Sequence, residues 1–178
     1  MNSASAIRSP LAAICFLGTA SVGLLLDLWT KSLAVAHLKY QLGIEFIPGF
    51  LHFDYTENKG AVFGLGQGQQ WLFVLVSVAA LIFLVYLFIR SDRHRFYQVI
   101  LGMLLAGVLG NMIDRISLGY VRDMIHAFPR WPNLFPYIFN VADMMLCTGV
   151  GLMLLYSFLA KPETPHSAAE AQGEHDQH

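Results

Sequence analysis

The chain has 178 residues, of which 56% are apolar and only 13% charged, with a formal net charge of −1 and a mean hydropathy of +0.53. Soluble domains carry about a quarter charged residues, so this composition excludes an ordinary water-soluble fold and points to a protein of the lipid bilayer. A balanced charge without a basic run or a stacking motif gives no basis for a nucleic-acid partner.

Residues 9–26 carry no charge, and the apolar pattern resumes past Asp27 and Lys31, predicting a first spanning helix over about 10–36. Arg8 ahead of the run and Ala34-Val35-Ala36 imitate a secretory signal, but the run is too long and holds Asp27, so the segment is expected to be retained. A carboxylate in the bilayer costs roughly 2.5–3.5 kcal/mol and is kept only with a partner or a task. Asp27 and Lys31, four residues apart on one helix face, are expected to pair as a structural brace.

The outer segment at about 40–66 changes character. Alternation over 51–56 predicts a half-buried strand, and 44–47 pairs with it across Pro48-Gly49, giving a small sheet resting on the membrane surface. Asn58-Lys59-Gly60 reads as a turn into the apolar Ala61-Val62-Phe63, a loop able to act as a lid over an extended ligand or as a plain connector.

Three more spans are predicted, at about 70–90, 96–114 and 137–160. The third carries Gly102, Gly107 and Gly110, which suits close helix packing in lipid. It ends in Asn111-Met112-Ile113-Asp114, and the fourth opens with the matching tetrad Asn140-Val141-Ala142-Asp143. Asp123 lies in the polar connection between them. Cys15 and Cys147 sit in apolar runs as packing residues, not in a disulfide or metal framework. The expected organisation is one all-α membrane domain over 1–162, with a small extracytoplasmic sheet or cradle, a short outer helix or loop, and a disordered tail over 163–178.

Arg90, Arg93 and Arg95 form the tightest basic loop, which the positive-inside tendency places in the cytoplasm together with both termini. Trp29, Trp71 and Trp131 then fall near the outer interface. At 1.5 Å rise per residue, Asp27 lies roughly 25 Å from Pro10 and Asp114 roughly 27 Å from Phe96, so both reach the outer leaflet. Four carboxylates, Asp27, Asp114, Asp123 and Asp143, therefore share one depth.

Two close carboxylates cannot both ionise easily, so one holds a proton while the other takes one from water, and such a pair hydrolyses amides without a covalent intermediate. Spacing alone pairs Asp114 with Asp143. Gly-x-Ser-x-Gly and His-Glu-x-x-His motifs are absent from the sequence, and His126 beside the acids reads as an interfacial or structural residue. Carboxylates with Asn111 and Asn140 are a weak signal for a metal, and the sequence shows no cofactor requirement. The competing readings are a proton- or cation-coupled small transporter, whose acids should string across the membrane, and a structural subunit of a membrane complex.

Five ordered blocks sharpen this: Asp27 with Lys31; Asn58-Lys59-Gly60-Ala61-Val62-Phe63; Gly110-Asn111-Met112-Ile113-Asp114-Arg115; Gly119-Tyr120-Val121-Arg122-Asp123; and Phe139-Asn140-Val141-Ala142-Asp143. In these the chain resembles bacterial lipoprotein signal peptidase, also called signal peptidase II. The resemblance implies four transmembrane helices in the bacterial cytoplasmic membrane, with both ends inside and an active site near the outer leaflet. It further implies a monomeric aspartic endopeptidase, without cofactor, that removes the signal peptide of a prolipoprotein before a diacylglyceryl-modified cysteine. By position, Asp123 and Asp143 would be catalytic, with Asn58, Gly60, Asn111, Asp114, Arg115, Asn140 and Ala142 binding substrate or supporting the pair. The chain departs from the family pattern where Arg122 and Met124 flank Asp123, and where Lys59 and Val62 replace commoner small residues. A cation at Arg122 would favour ionised Asp123 if the two faced each other.

Overall fold

The computed structural model describes residues 9–60, 66, 68–91, 94–131 and 137–159. The loop at 61–63, Arg93 and the tail at 163–178 lie outside the described residues. In chain order the elements are α1 (Pro10–His37), β1 (Ile44–Ile47), β2 (Leu51–Asn58), α2 (Gln70–Arg90), α3 (Arg95–Leu118), β3 (Val121–Ala127), β4 (Ile138–Phe139) and α4 (Val141–Leu159). All four helices are long and apolar enough to cross a membrane.

The helix ends follow local chemistry. Ser9 caps α1, its hydroxyl accepting the Ala12 N–H at 3.4 Å, and Pro10 occupies the first turn, where a missing N–H costs nothing. Gly119 ends α3 in a left-handed conformation, φ 85°, returning its N–H to the Arg115 carbonyl. Asn140 and Asp143 cap α4 reciprocally: the Asp143 N–H donates to the Asn140 side chain at 2.9 Å, and the Asn140 N–H to the Asp143 carboxylate at 3.2 Å. The fourth helix thus begins at Val141, because 138–139 pair with β3 instead of extending it, and α3 runs four residues beyond Asp114.

α3 is the central helix and packs against α1, α2 and α4. Its glycines make this possible: a Cβ on Gly107 would strike the Ala142 carbonyl and Leu146 of α4, and one on Gly110 would strike the Asp27 carboxylate of α1. Phe16, Leu84, Ile100, Leu101 and Leu104 form the core between the helices. Outward residues such as Leu25, Leu75, Ile82, Phe83 and Phe158 are exposed, as expected of helices whose solvent is lipid. Both cysteines are free, and Cys147 is exposed on α4 instead of packed.

The sheet is antiparallel throughout, in the order β1-β2-β3-β4. The β1–β2 hairpin turns at Pro48-Gly49, with Gly49 at φ 71°. Phe53 and Tyr55 pack toward Ala34 of α1, its C-cap residue Leu38 and Met124 of β3, which seats the sheet on one end of the bundle. Asp123, expected in a connection, belongs to β3. No further outer helix occurs among the described residues. His126 faces His52 across β2 and β3, with ring centroids 6.5 Å apart. Trp29, Trp71 and Trp131 are all exposed at this same end of the bundle.

Candidate active site

Two layers of polar residues occupy the junction between the sheet and the helices. The deeper layer centres on Lys31, wholly buried, whose ammonium lies 2.7 Å from Asp27, 3.4 Å from Asp114 and 3.2 Å from the Asn111 side-chain oxygen. Asp27 does more than pair with Lys31: its other oxygen accepts the Ala142 N–H at 2.8 Å, satisfying an otherwise orphaned donor at the start of α4. The Asp27–Lys31 brace is therefore also a clamp from α1 to α4.

Asp114 is held by Arg122, with guanidinium contacts of 2.6, 3.1 and 3.2 Å and the Arg122 N–H at 3.0 Å. Its partner is thus Arg122 and not the adjacent Arg115. On a helix, neighbouring residues point about 100° apart, so Arg115 instead sits over the Phe73 ring, 5.0 Å from its centroid, and donates to the Gly60 carbonyl at 3.4 Å. Strand alternation sends Arg122 to Asp114 and Asp123 to the opposite side, so this cation does not face Asp123.

The upper layer holds Asp123 and Asp143. Asp123 is almost completely buried and accepts the side-chain amides of Asn140 at 2.6 Å and Asn58 at 2.9 Å. Asp143 accepts the Asn111 side-chain amide at 2.8 Å and the Asn140 N–H at 3.2 Å. Asn140 thus touches both carboxylates, and its amide also donates to the Asn111 oxygen at 3.1 Å. Burial, followed by the charge on Asp143, pushes the Asp123 carboxyl up from its ordinary 3.8 to about 7, against the pull of the Asn58 and Asn140 hydrogen bonds. Asp114, which spacing paired with Asp143, is bonded instead to Arg122 and Lys31.

A cleft of about 260 Å³ opens beside this pair. Asn58, Gly60, Asn111, Arg115 and Asp143 make its polar end, and Val76 and Ala80 of α2, Val108 of α3 and Leu146 of α4 its apolar walls. Gln70 ties α2 to the site by donating to the Arg115 carbonyl at 2.5 Å. Sequence reasoning missed that contact, the Ala142 N–H and the reach of Arg122. Only the last had a signal, the reversal at Gly119 that brings the start of β3 back beside the end of α3.

Four spanning helices and a capping sheet, with Asp143 lining a half-apolar cleft and Asp123 buried beside it through Asn58 and Asn140, define a polytopic membrane enzyme. Residues 19–159 match the profile of the family described as Signal peptidase (SPase) II, and the chain belongs to that family, a peptidase family of lipoprotein processing. The lipoprotein signal peptidase of Halalkalibacterium halodurans is 41% identical over 137 residues, 76% of this chain and 86% of the relative. That of Anoxybacillus flavithermus is 35% identical over 161 residues, 88% and 93% of the two chains. A bacterial membrane enzyme solved by the in meso method at 1.9 Å resolution has a TM-score of 0.71 at 34% identity, covering 81% of this chain and 92% of that one.

Proposed function

We propose that Asp123 and Asp143 are the catalytic pair of an aspartic endopeptidase that releases the signal peptide from diacylglyceryl-modified prolipoproteins, cutting before the lipidated cysteine. The observation that carries this reading is the Asn140 bridge: one side chain and its backbone hold the two carboxylates, at 2.6 and 3.2 Å, beside the cleft. A water between the acids loses a proton to Asp143 as its oxygen attacks the scissile carbonyl. Asp123 gives its proton to the departing nitrogen, so the C–N bond breaks without a covalent enzyme intermediate. Burial, which favours the protonated form of Asp123 up to about pH 7, supports its part as the acid.

Asn58, Asn111 and Asn140 orient the pair, while Asp114, Arg115, Gly60 and Ala142 hold the elements around it and Asp27 with Lys31 braces them from below. The apolar walls of the cleft suit the lipid of the substrate and its signal helix. The acid pair faces the outer leaflet, with the termini and the basic 90–95 loop in the cytoplasm, and the protein acts as a monomer in the bacterial cytoplasmic membrane. The gathering of the acids at one end of the bundle favours this reading over a transporter, whose carboxylates should cross the bilayer.

The test is incubation of purified protein with a diacylglyceryl-modified precursor. A shortened product beginning at the lipidated cysteine is expected from the parent and absent from Asp123→Asn and Asp143→Asn. Proton flux into proteoliposomes without any product would sink the peptidase mechanism in favour of transport.

A further inference from the structure

At the opposite end of the bundle a second cavity, of about 270 Å³, is lined by Leu87, Arg90, Ser91, His94, Tyr97 and Tyr156. From the residue types and their bonding we infer that it is a binding site for a phosphate anion, supplied at this depth by the headgroup of an anionic phospholipid. The inference rests on the chain being a membrane protein and is independent of how the acid pair works.

The polar lining is rich in donors and poor in acceptors. No carboxylate among the described residues lines the cavity or forms an ion pair with Arg90, whose guanidinium lies 5.8 Å from the Tyr86 ring centroid. The Ser91 hydroxyl is already committed, donating to the Phe88 carbonyl at 2.9 Å and accepting the Gln98 amide at 2.5 Å. The Tyr97 and Tyr156 hydroxyls, by contrast, make no hydrogen bond among the described residues. Their rings stand 5.6 Å apart, with His94 at 5.5 Å from Tyr156, forming one wall. A guanidinium, two tyrosine hydroxyls and an imidazole lining one cavity supply the charge and the hydrogen-bond donors that a phosphate requires.

Depth selects the source. Leu87 lies in the last turn of the uncharged run of α2, which ends at Ile89, and Arg90 is the first charge beyond it, so the cavity sits where hydrocarbon gives way to headgroups. Tyr97 lies fourteen residues before Asn111, so the site is roughly 21 Å along α3 from the acid pair, too far for substrate held there to reach it.

The test uses the full chain in nanodiscs of phosphatidylglycerol and phosphatidylcholine, with native mass spectrometry to count lipid retained on release. Preferential retention of phosphatidylglycerol is expected. Arg90→Gln should cut it about tenfold, whereas Arg95→Gln, which removes a neighbouring cation outside the cavity, should leave it unchanged. Thermal unfolding should match the parent in both variants. Equal losses in the two variants would mean diffuse charge attraction and overturn the site, as would equal retention of the two lipids. Displacement of the lipid by excess inorganic phosphate would assign the soluble anion and overturn the lipid source.

Discussion

Asp27 on α1 accepts the backbone N–H of Ala142 at 2.8 Å, one residue before Asp143, so the first helix caps the fourth beside the reacting acids. Removal of this carboxylate loses the cap and leaves Lys31 with Asp114 as its remaining counterion. Breaking a buried pair costs about 3–5 kcal/mol, so Asp27→Ala should unfold at markedly lower temperature in detergent micelles. Asp27→Asn keeps an acceptor for Ala142 and should lose less. Equal melting of both variants with the parent would show that the clamp contributes nothing.

Asp123→Asn and Asp143→Asn preserve shape while removing proton exchange, and each should lower cleavage about 10²–10⁴-fold with the fold intact. Asp114→Asn should retain measurable cleavage and lose about 1–3 kcal/mol of stability, because it weakens the Arg122 and Lys31 contacts. Single-turnover rates on protein checked by thermal unfolding decide the matter. If Asp123→Asn cuts near the parent rate while Asp114→Asn is inactive, the pair is misassigned.

The raised Asp123 carboxyl makes two linked predictions for pH. Folding lifts this group from 3.8 to about 7, so between those values the folded chain holds more protons than the unfolded one. Its contribution to stability therefore declines as pH rises through that window and is flat above it, and Asp123→Asn should flatten the melting profile there. Cleavage should decline above about pH 7 as the acid loses its proton. The Asn58 amide favours the charged form, so Asn58→Ala should move that alkaline inflection to higher pH. A downward move would contradict the assigned hydrogen bond.

Chelation should leave cleavage unchanged. All four carboxylate oxygens of the pair face N–H donors: Asn140 and Asn58 on Asp123, Asn111 and the Asn140 backbone on Asp143. Donors aimed at every oxygen compete with a cation for the same lone pairs. Activity lost to EDTA and restored by a divalent ion would require a rearranged site.

Much of this was legible in the chain because bilayer physics writes in long words. Twenty apolar residues make a span, and the glycines of α3 announced the close contacts that Gly107 and Gly110 make. The hairpin at Pro48-Gly49 was equally plain. The site was harder, since a carboxylate's partner depends on side-chain direction. Arg115 is adjacent to Asp114, but helix geometry turns it away, and Arg122 arrives through the αL reversal at Gly119. Asp123 read as loop because Arg122-Asp123 and Met124-Ile125 set polar beside polar and apolar beside apolar, which breaks the strict alternation that marks a half-buried strand. The Asp27 bond to Ala142 ends on a backbone N–H, which no residue letter encodes.

The Lys31 cluster has a consequence for how α1 tolerates change. Its lipid-facing residues are interchangeable grease, but Lys31 must meet carboxylates on two helices and an amide at once, which a helix can do at one rotational phase only. One residue inserted between Gly23 and Asp27 would turn the cluster by about 100° and slide it 1.5 Å. The cluster is an indexing pin: it sets the phase of the first helix, and through Ala142 the phase of the fourth.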